Sequence, residues 1–478
     1  YFPDGQILEE VYVYGSFTQS KMYRHDVRCS DCHEVHSIEL VKEGNELCLQ
    51  CHRGAQYDTT QHHFHKFEGE EGEPVLSAEG EVLFEVGTGA KCVECHMPGR
   101  YYMGPDYRPD HSFRIPDPAL DAEIGAPDAC LRCHVDKDSQ WSQDTVVQWY
   151  GPGQASHYGR IIARGRQGDP EAAADLAALA FDTLYPVIVR ATALSLLTDH
   201  PGEESLQAME IAMMDEEPRI RRAAVEYIQV SDPEQLAKKL IPVLYDPVKT
   251  VRIEAARRLA GDLSAYLDEN QRKVFQSVLN EFEAAMKYSA DFAFARHNLA
   301  NLYTALDRPA DAIKQYEAAI RIDNLFYPAK VNLAISYNQA GRNEEAEQLL
   351  REVLEQEPEL YEVAYSFALL LVEVQKFGEA ATYLSQAARG LPENARVRYN
   401  LGLLFQHLGN AQGAEAELSA ALALEPRSLD FQYALADHYL KRGLFEKARP
   451  IAEAMASMHP ENPIGAQILG FIRQNTGR

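Results

Sequence analysis

The chain has no cysteine to spare, a deficit of cations and no long apolar run, and each shortage closes off a class of protein. All eight cysteines fall inside four short motifs, so no residues remain for a disulfide framework or a separate zinc site. No apolar stretch reaches the roughly 18 residues that span a bilayer, and no Lys/Arg-rich amphipathic segment reads as a membrane-surface helix, so a soluble chain is expected. Lys and Arg number 46 against 72 Asp and Glu. The resulting net charge of −26 has the wrong sign for a nucleic-acid partner. The opening Tyr1-Phe2-Pro3-Asp4-Gly5 has neither the basic nor the apolar region of a signal peptide, so the numbering is read as starting at a processed or shortened end.

What the cysteines do form is one pentapeptide, repeated four times. The copies are Cys29-Ser30-Asp31-Cys32-His33, Cys48-Leu49-Gln50-Cys51-His52, Cys92-Val93-Glu94-Cys95-His96 and Cys130-Leu131-Arg132-Cys133-His134. Cys-x-x-Cys-His is the attachment motif of c-type haem: two thiols add to the two vinyl groups of one porphyrin, and the adjacent imidazole turns onto the iron. A zinc site made of Cys pairs has no need of the following His, and a thioredoxin-like dithiol would occur once, in a βαβ setting. Four complete motifs predict four covalently bound haems. Because such haems are attached beyond the cytoplasmic membrane, they also predict an exported protein, periplasmic or extracellular.

Each iron has a second axial position, and residues 1–160 hold seven further histidines: His25, His36, His62, His63, His65, His111 and His157. The surplus favours six-coordinate, bis-His irons that carry electrons over irons with a vacant face. His36 follows His33 by three residues, too near to reach the opposite face of the same ring, and would serve a neighbouring haem. His111 and His157 stand alone in loop-rich contexts and are favoured as ligands. Within His62-His63-Phe64-His65 one or two should ligate, leaving the rest as supporting donors. His25 has the weakest claim. Met22, Met97 and Met103 are alternative axial ligands, with apolar packing against a porphyrin the preferred reading.

The pattern changes near residue 160. Upstream, turn signals such as Gly104-Pro105, Pro116, Pro118, Pro127 and Gly151-Pro152-Gly153 break the chain, and porphyrins would fill the core that long helices leave empty. Downstream, Arg190, Arg221 and Arg252 recur with a period of 31, as do Ala193, Ala224 and Ala255, and Leu197, Ile228 and Leu259. Each set follows a turn signal, at Tyr185-Pro186, Glu217-Pro218 and Asp246-Pro247, a pattern that resembles short HEAT-like helical repeats. From about residue 290 the period becomes 34, that of tetratricopeptide (TPR) repeats. Ala312, Ala346, Ala380, Ala414 and Ala448 are in register, as are Leu299, Leu333, Phe367, Leu401 and Leu435. The expected organisation is a mainly α chain: a loop-rich tetrahaem cytochrome c domain over 1–160, HEAT-like repeats over 161–268 and a TPR solenoid over 269–478. His200, His297, His407, His438 and His459 are scattered through the repeats without ligand spacing and read as packed or surface residues.

Met22-Tyr23 through the first motif, Gly44-Asn45-Glu46 through the second, His62 to His65, Cys95-His96-Met97-Pro98, Asp110-His111-Ser112-Phe113-Arg114 and Trp149-Tyr150-Gly151 together resemble the bacterial multihaem c-type cytochromes that end in HEAT and TPR repeats. The resemblance spans nearly the whole chain and implies that His36, the His62–His65 cluster, His111 and His157 are motif positions, whereas His25 is not. Relatives often carry another haem-bearing section upstream. Here the link from Lys66 to Lys91 is also longer than usual, and is expected to form an acidic hairpin or a contact element. The expected function is electron transfer through four bis-His haems, with the repeats docking redox partner proteins or other copies of the chain, up to an extracellular filament. An oxidoreductase acting on a small nitrogen or sulfur compound at one five-coordinate haem is the alternative, although no Cys-x-x-Cys-Lys variant marks such a haem and no other catalytic constellation is present.

Overall fold

The computed structural model describes residues 1–9, 12–77, 79–152 and 156–476; Gly153 of the turn signal above lies outside the described residues. The chain forms two compact units, Tyr1–Val278 and Leu279–Arg478.

The first 157 residues of the first unit are built from short pieces. Helices of four or five residues, among them Lys21–Arg24, Glu46–Leu49, Thr60–His63 and Cys92–His96, alternate with loops and two small hairpins. One hairpin pairs Val75–Leu76 with Val82–Phe84 and the other pairs Gly99–Tyr102 with Asp106–Pro109. The first of these is the hairpin expected in the long acidic link. Much of what is buried here is polar, including Asp4, Gln6, Asp110, Ser112 and Asp121, so hydrogen bonding holds this region where apolar packing is thin. Its longest helix, Ser139–Tyr150, starts at Asp138, whose carboxylate accepts the Trp141 amide at 2.9 Å.

From Tyr158 the helices lengthen and pair. Val187–Leu196, Pro218–Tyr227 and Lys249–Leu259 stack in turn, each backed by the helix before it. Ala193, Ala224 and Ala255 sit where the helices cross and are fully buried. The arginines with period 31 join successive repeats: Arg190 pairs with Asp215, and Arg221 reaches both oxygens of Asp246 at 2.7 and 3.0 Å. Burial works against the Asp246 carboxylate, yet the Arg221 guanidinium and the Val248 amide hold it below the usual carboxylate range.

The second unit is a solenoid of five antiparallel helix pairs. The first pair is Ala293–Ala305 with Pro309–Ile322, the fifth is Leu429–Lys441 with Phe445–Met458, and Ile464–Thr476 closes the stack. The 34-residue pattern is a packing pattern: the in-register Ala positions from Ala312 to Ala448 are at most 1% exposed, and Phe367 is completely buried. Gly402 takes the place of Ala300, Ala334, Ala368 and Ala436 because a Cβ there would lie 2.7 Å from Leu418. The histidines of this unit serve its packing. His297 bonds Asn332, His438 bonds Gln406, His459 bonds the Arg427 carbonyl, and His407 packs on Phe377.

Gly402→Leu should therefore destabilise the solenoid by about 1–3 kcal/mol through overpacking. Denaturant titration followed by far-ultraviolet circular dichroism checks this; an unchanged midpoint would show that the close approach is not maintained in solution.

Candidate cofactor-binding site

Three of the four motifs open onto one cavity of about 1000 Å³. Cys48 and His52, Cys92, Cys95 and His96, and Cys130, Cys133 and His134 all contribute to its wall, together with His62, His63 and His65. Leu49, Val75, Phe84, Trp141 and Trp149 supply apolar surface, so the acidic hairpin closes one side of the chamber. A large, mostly apolar space with convergent imidazoles and thiols has the character of a prosthetic-group site.

The histidine cluster is spread by one backbone feature. Helix Thr60–His63 ends at Phe64, which adopts the left-handed conformation at φ 58°. Phe64 then stacks on Trp149, with ring centres 4.4 Å apart and planes 5° from parallel. His62 is thereby directed to the third motif and His65 to the fourth. The His62 and His96 rings lie 6.2 Å apart at 9°, and the His65 and His134 rings 6.0 Å apart at 37°. In the first motif His33 faces His111 at 6.3 Å and 28°. Two imidazole nitrogens each about 2 Å from one metal ion put the ring centres about 6 Å apart, so the three pairs have the spacing of two axial ligands on one iron.

Hydrogen bonds at the far nitrogens settle which atom faces inward. A carbonyl can only accept, so each of these Nδ1 atoms carries the proton: His33 donates to Ile38 O at 2.9 Å, His96 to Arg114 O at 2.7 Å, His111 to Pro109 O at 2.9 Å, and His65 to His63 O. In a neutral ring that leaves Nε2 with the lone pair that binds a metal. Burial also lowers the pKa values of His62, His111 and His134, with the neighbouring His96, His33 and His65 respectively adding to the shift, which keeps those rings neutral.

His157 and His63 have the opposite arrangement. Nδ1 of His157 accepts the Gly159 amide at 3.0 Å and caps helix Tyr158–Arg166, while Nδ1 of His63 accepts the His65 amide at 3.1 Å. Their protons are therefore on Nε2. For His63 that N–H is buried at the cavity wall without a protein partner, so it can donate to an acceptor on a bound group. His157 is pushed down to about 4 by burial and by Arg114 and stays neutral. His52 has Tyr57 edge-on at 5.8 Å rather than a second imidazole. His36 and His25 are exposed and belong to none of the three pairs. Met22 and Met97 line the cavity, whereas Met103 is 74% exposed.

No two of the eight cysteines form a disulfide. Burial raises the pKa values of Cys95 to about 11 and Cys130 to about 12. The second and third motifs are clamped by Asn45, which accepts the Cys92 amide at 2.9 Å and donates to Asp58 and to Ala90 O. Sequence reasoning assigned no role to Asn45, Tyr57 or Trp149. Only their places next to motif segments pointed to them.

Residues 23–56 match the family described as the doubled CXXCH motif, which indicates covalent haem c binding. Residues 305–366, 365–424 and 406–470 match tetratricopeptide repeat families, whose repeats mediate protein–protein interaction. Among solved structures, YrrB, described as a TPR protein with an unusual peptide-binding site, is 20% identical, with 39% of this chain and 96% of that chain covered and a TM-score of 0.35. MamA from Desulfovibrio magneticus RS-1 is 17% identical over 35% of this chain and 92% of that chain, with a TM-score of 0.32. No curated protein matches the chain. Covalent attachment of haem c takes place outside the cytoplasm, and among the described residues no helix is long and apolar enough to cross a membrane.

Behind His111 lies a buried acidic group that titrates. Gln6 Nε2 donates to both Asp4, at 2.9 Å, and Asp121, at 3.3 Å. Burial, reinforced by Asp4, Asp128 and Asp117, pushes the Asp121 carboxyl up to about 8. A raised carboxyl contributes stability fully below its unfolded value of about 4 and loses it as the pH rises through the folded value, at no more than about 1.4 kcal/mol per pH unit. Relative to Asp121→Asn, the unmodified protein should lose stability between pH 4 and 8 in denaturant titrations; parallel curves would place Asp121 in contact with water.

Proposed function

We propose that this protein is a tetrahaem c-type cytochrome of the periplasm or cell exterior that passes single electrons along its haems, with its helical repeats as the docking scaffold. The observation that carries the reading is the set of three imidazole pairs, His33–His111, His62–His96 and His65–His134, each joining one motif histidine to one from elsewhere in the chain.

When bound, each haem supplies a one-electron Fe(III)/Fe(II) couple. The thioether-forming cysteines would be Cys29 and Cys32, Cys48 and Cys51, Cys92 and Cys95, and Cys130 and Cys133. His33, His52, His96 and His134 would hold the proximal faces. His111, His62 and His65 would hold the distal faces of the first, third and fourth sites, and closing both faces suits electron transfer over substrate chemistry. His63 would offer its Nε2 proton to an acceptor on the prosthetic group. His157 drops out of the ligand set, because its Nδ1 is occupied as an acceptor and its Nε2 carries the proton. That the second, third and fourth motifs face one cavity supports short electron-transfer steps among those three sites. Residues 1–160 carry this chemistry, the HEAT-like helices over 161–268 and the TPR solenoid over 269–478 present partner-binding surface, and redox proteins or further copies, up to a filament, are what they would dock.

The intact mass should exceed that of the polypeptide by four haems. His62→Ala, His65→Ala and His111→Ala should each convert one iron of four to a high-spin, carbon-monoxide-reactive form, while His157→Asn, which keeps an N-capping acceptor, leaves the optical spectrum unchanged. Fewer than four haems, or loss of low-spin iron in His157→Asn, would contradict this assignment.

A further inference from the structure

The three imidazole pairs contain six rings, and a carbonyl fixes only four of them. His33, His65, His96 and His111 donate from Nδ1 to the backbone, whereas the rings of His62 and His134 make no hydrogen bond among the described residues. A partner at the second nitrogen is what ordinarily orients a ligating imidazole. Both rings that lack one are packed by other aromatic side chains. Tyr57 and Tyr150 stand edge-on to His62 at 5.3 and 6.4 Å, and Trp141 lies against His134 with ring centres 4.7 Å apart and planes 51° from parallel. The helix that carries Trp141, Ser139–Tyr150, is fastened to the fourth motif at two points. One carboxylate oxygen of Asp128 accepts the Cys130 amide at 2.7 Å and the other accepts the hydroxyl of the fully buried Ser142, while Asp138, four residues after His134, caps the helix at the Trp141 amide.

We propose that Trp141 is the positioning residue of the fourth haem: its indole holds the rotation of the His134 ring and so sets the 37° twist of the His65–His134 pair. The proposal rests on the reading of the fourth motif as a haem site with His65 and His134 as its axial ligands. His65 is already fixed by its bond to the His63 carbonyl, so the twist of this pair varies with His134 alone. Attachment through Cys130 and Cys133 anchors the backbone of the motif but leaves the imidazole its own ring torsion, which is broad and roughly two-fold in an unrestrained side chain. A planar group packed against the ring restricts that torsion, because turning the imidazole drives its edge into the indole. The indole cannot simply retreat, since Asp138 holds its amide and Asp128 ties its helix to Cys130. The fourth pair is also the most twisted of the three, at 37° against 9° and 28°.

The test uses the full haem-loaded chain in its oxidised form, with electron paramagnetic resonance and a haem count by intact mass for each variant. The low-spin signal lost in His65→Ala marks the fourth site, and the one lost in His111→Ala marks the first, whose imidazoles are both bonded to carbonyls. Trp141→Leu, which keeps an apolar side chain without a planar face, should retain every haem and every low-spin iron while the fourth-site signal alone shifts or broadens. Trp141→Phe, which restores a ring, should return that signal toward its original position, and the first-site signal should stay in place in both variants. An unchanged fourth-site signal in Trp141→Leu, a shift shared by the first site, or a Trp141→Phe protein that matches Trp141→Leu would each overturn the proposal. Loss of the fourth haem in Trp141→Leu would make Trp141 a residue of folding rather than of positioning and would equally overturn it. An unchanged low-spin count in His65→Ala would instead overturn the axial pairing on which the proposal rests.

Discussion

The arrangement at the N-terminal end depends on one kind of hydrogen bond, an imidazole Nδ1–H donated to a backbone carbonyl. His33, His65, His96 and His111 all make it, to Ile38, His63, Arg114 and Pro109. It costs no side-chain partner, fixes the ring about its own axis and leaves the Nε2 lone pair pointing away from the chain. In a region made mostly of short helices and loops there is little apolar core to do that work. The loops that look irregular are shaped by where those carbonyls must be. Ile38 and Phe64, both in the left-handed region with φ of 64° and 58°, are the turns that place them or the rings beside them. Such conformations in branched or bulky residues store strain, and here they set the positions of the imidazoles.

Much of this was legible in the sequence because the governing signals are local. Cys-x-x-Cys-His encodes attachment and proximal ligand in five residues, and a 34-residue period with Ala at each helix crossing encodes a solenoid whatever surrounds it. The Arg190, Arg221 and Arg252 series was legible only as a period; that Arg190 joins Asp215 and Arg221 joins Asp246, each 25 residues on, while Arg252 bonds the Asp246 and Pro247 carbonyls, needed coordinates. What the sequence left open was the pairing of distant histidines. Nothing in His62-His63-Phe64-His65 distinguishes the middle residue from its neighbours until the backbone reverses at Phe64 and the His63 ring is found accepting an amide. The cap that His157 places on the Gly159 amide is likewise a contact that sequence spacing does not reveal.

The two units divide the physics as well as the chain. The solenoid is held by repeated apolar contacts that any one residue only partly determines, so its exposed faces are free to vary with the partner. The N-terminal region is held by a few directional bonds around a large cavity, and it has little tolerance for losing one. The net charge of −26 makes copies of the chain repel one another at low salt.

The chain holds its three imidazole pairs with ring planes 9°, 28° and 37° apart. The spread of the low-spin ferric resonance reports that angle directly. Electron paramagnetic resonance of the oxidised protein should show rhombic low-spin signals of near-parallel imidazoles for at least three irons of four. A spectrum dominated by the strongly anisotropic signals of perpendicular imidazoles, or by high-spin iron, would contradict the account.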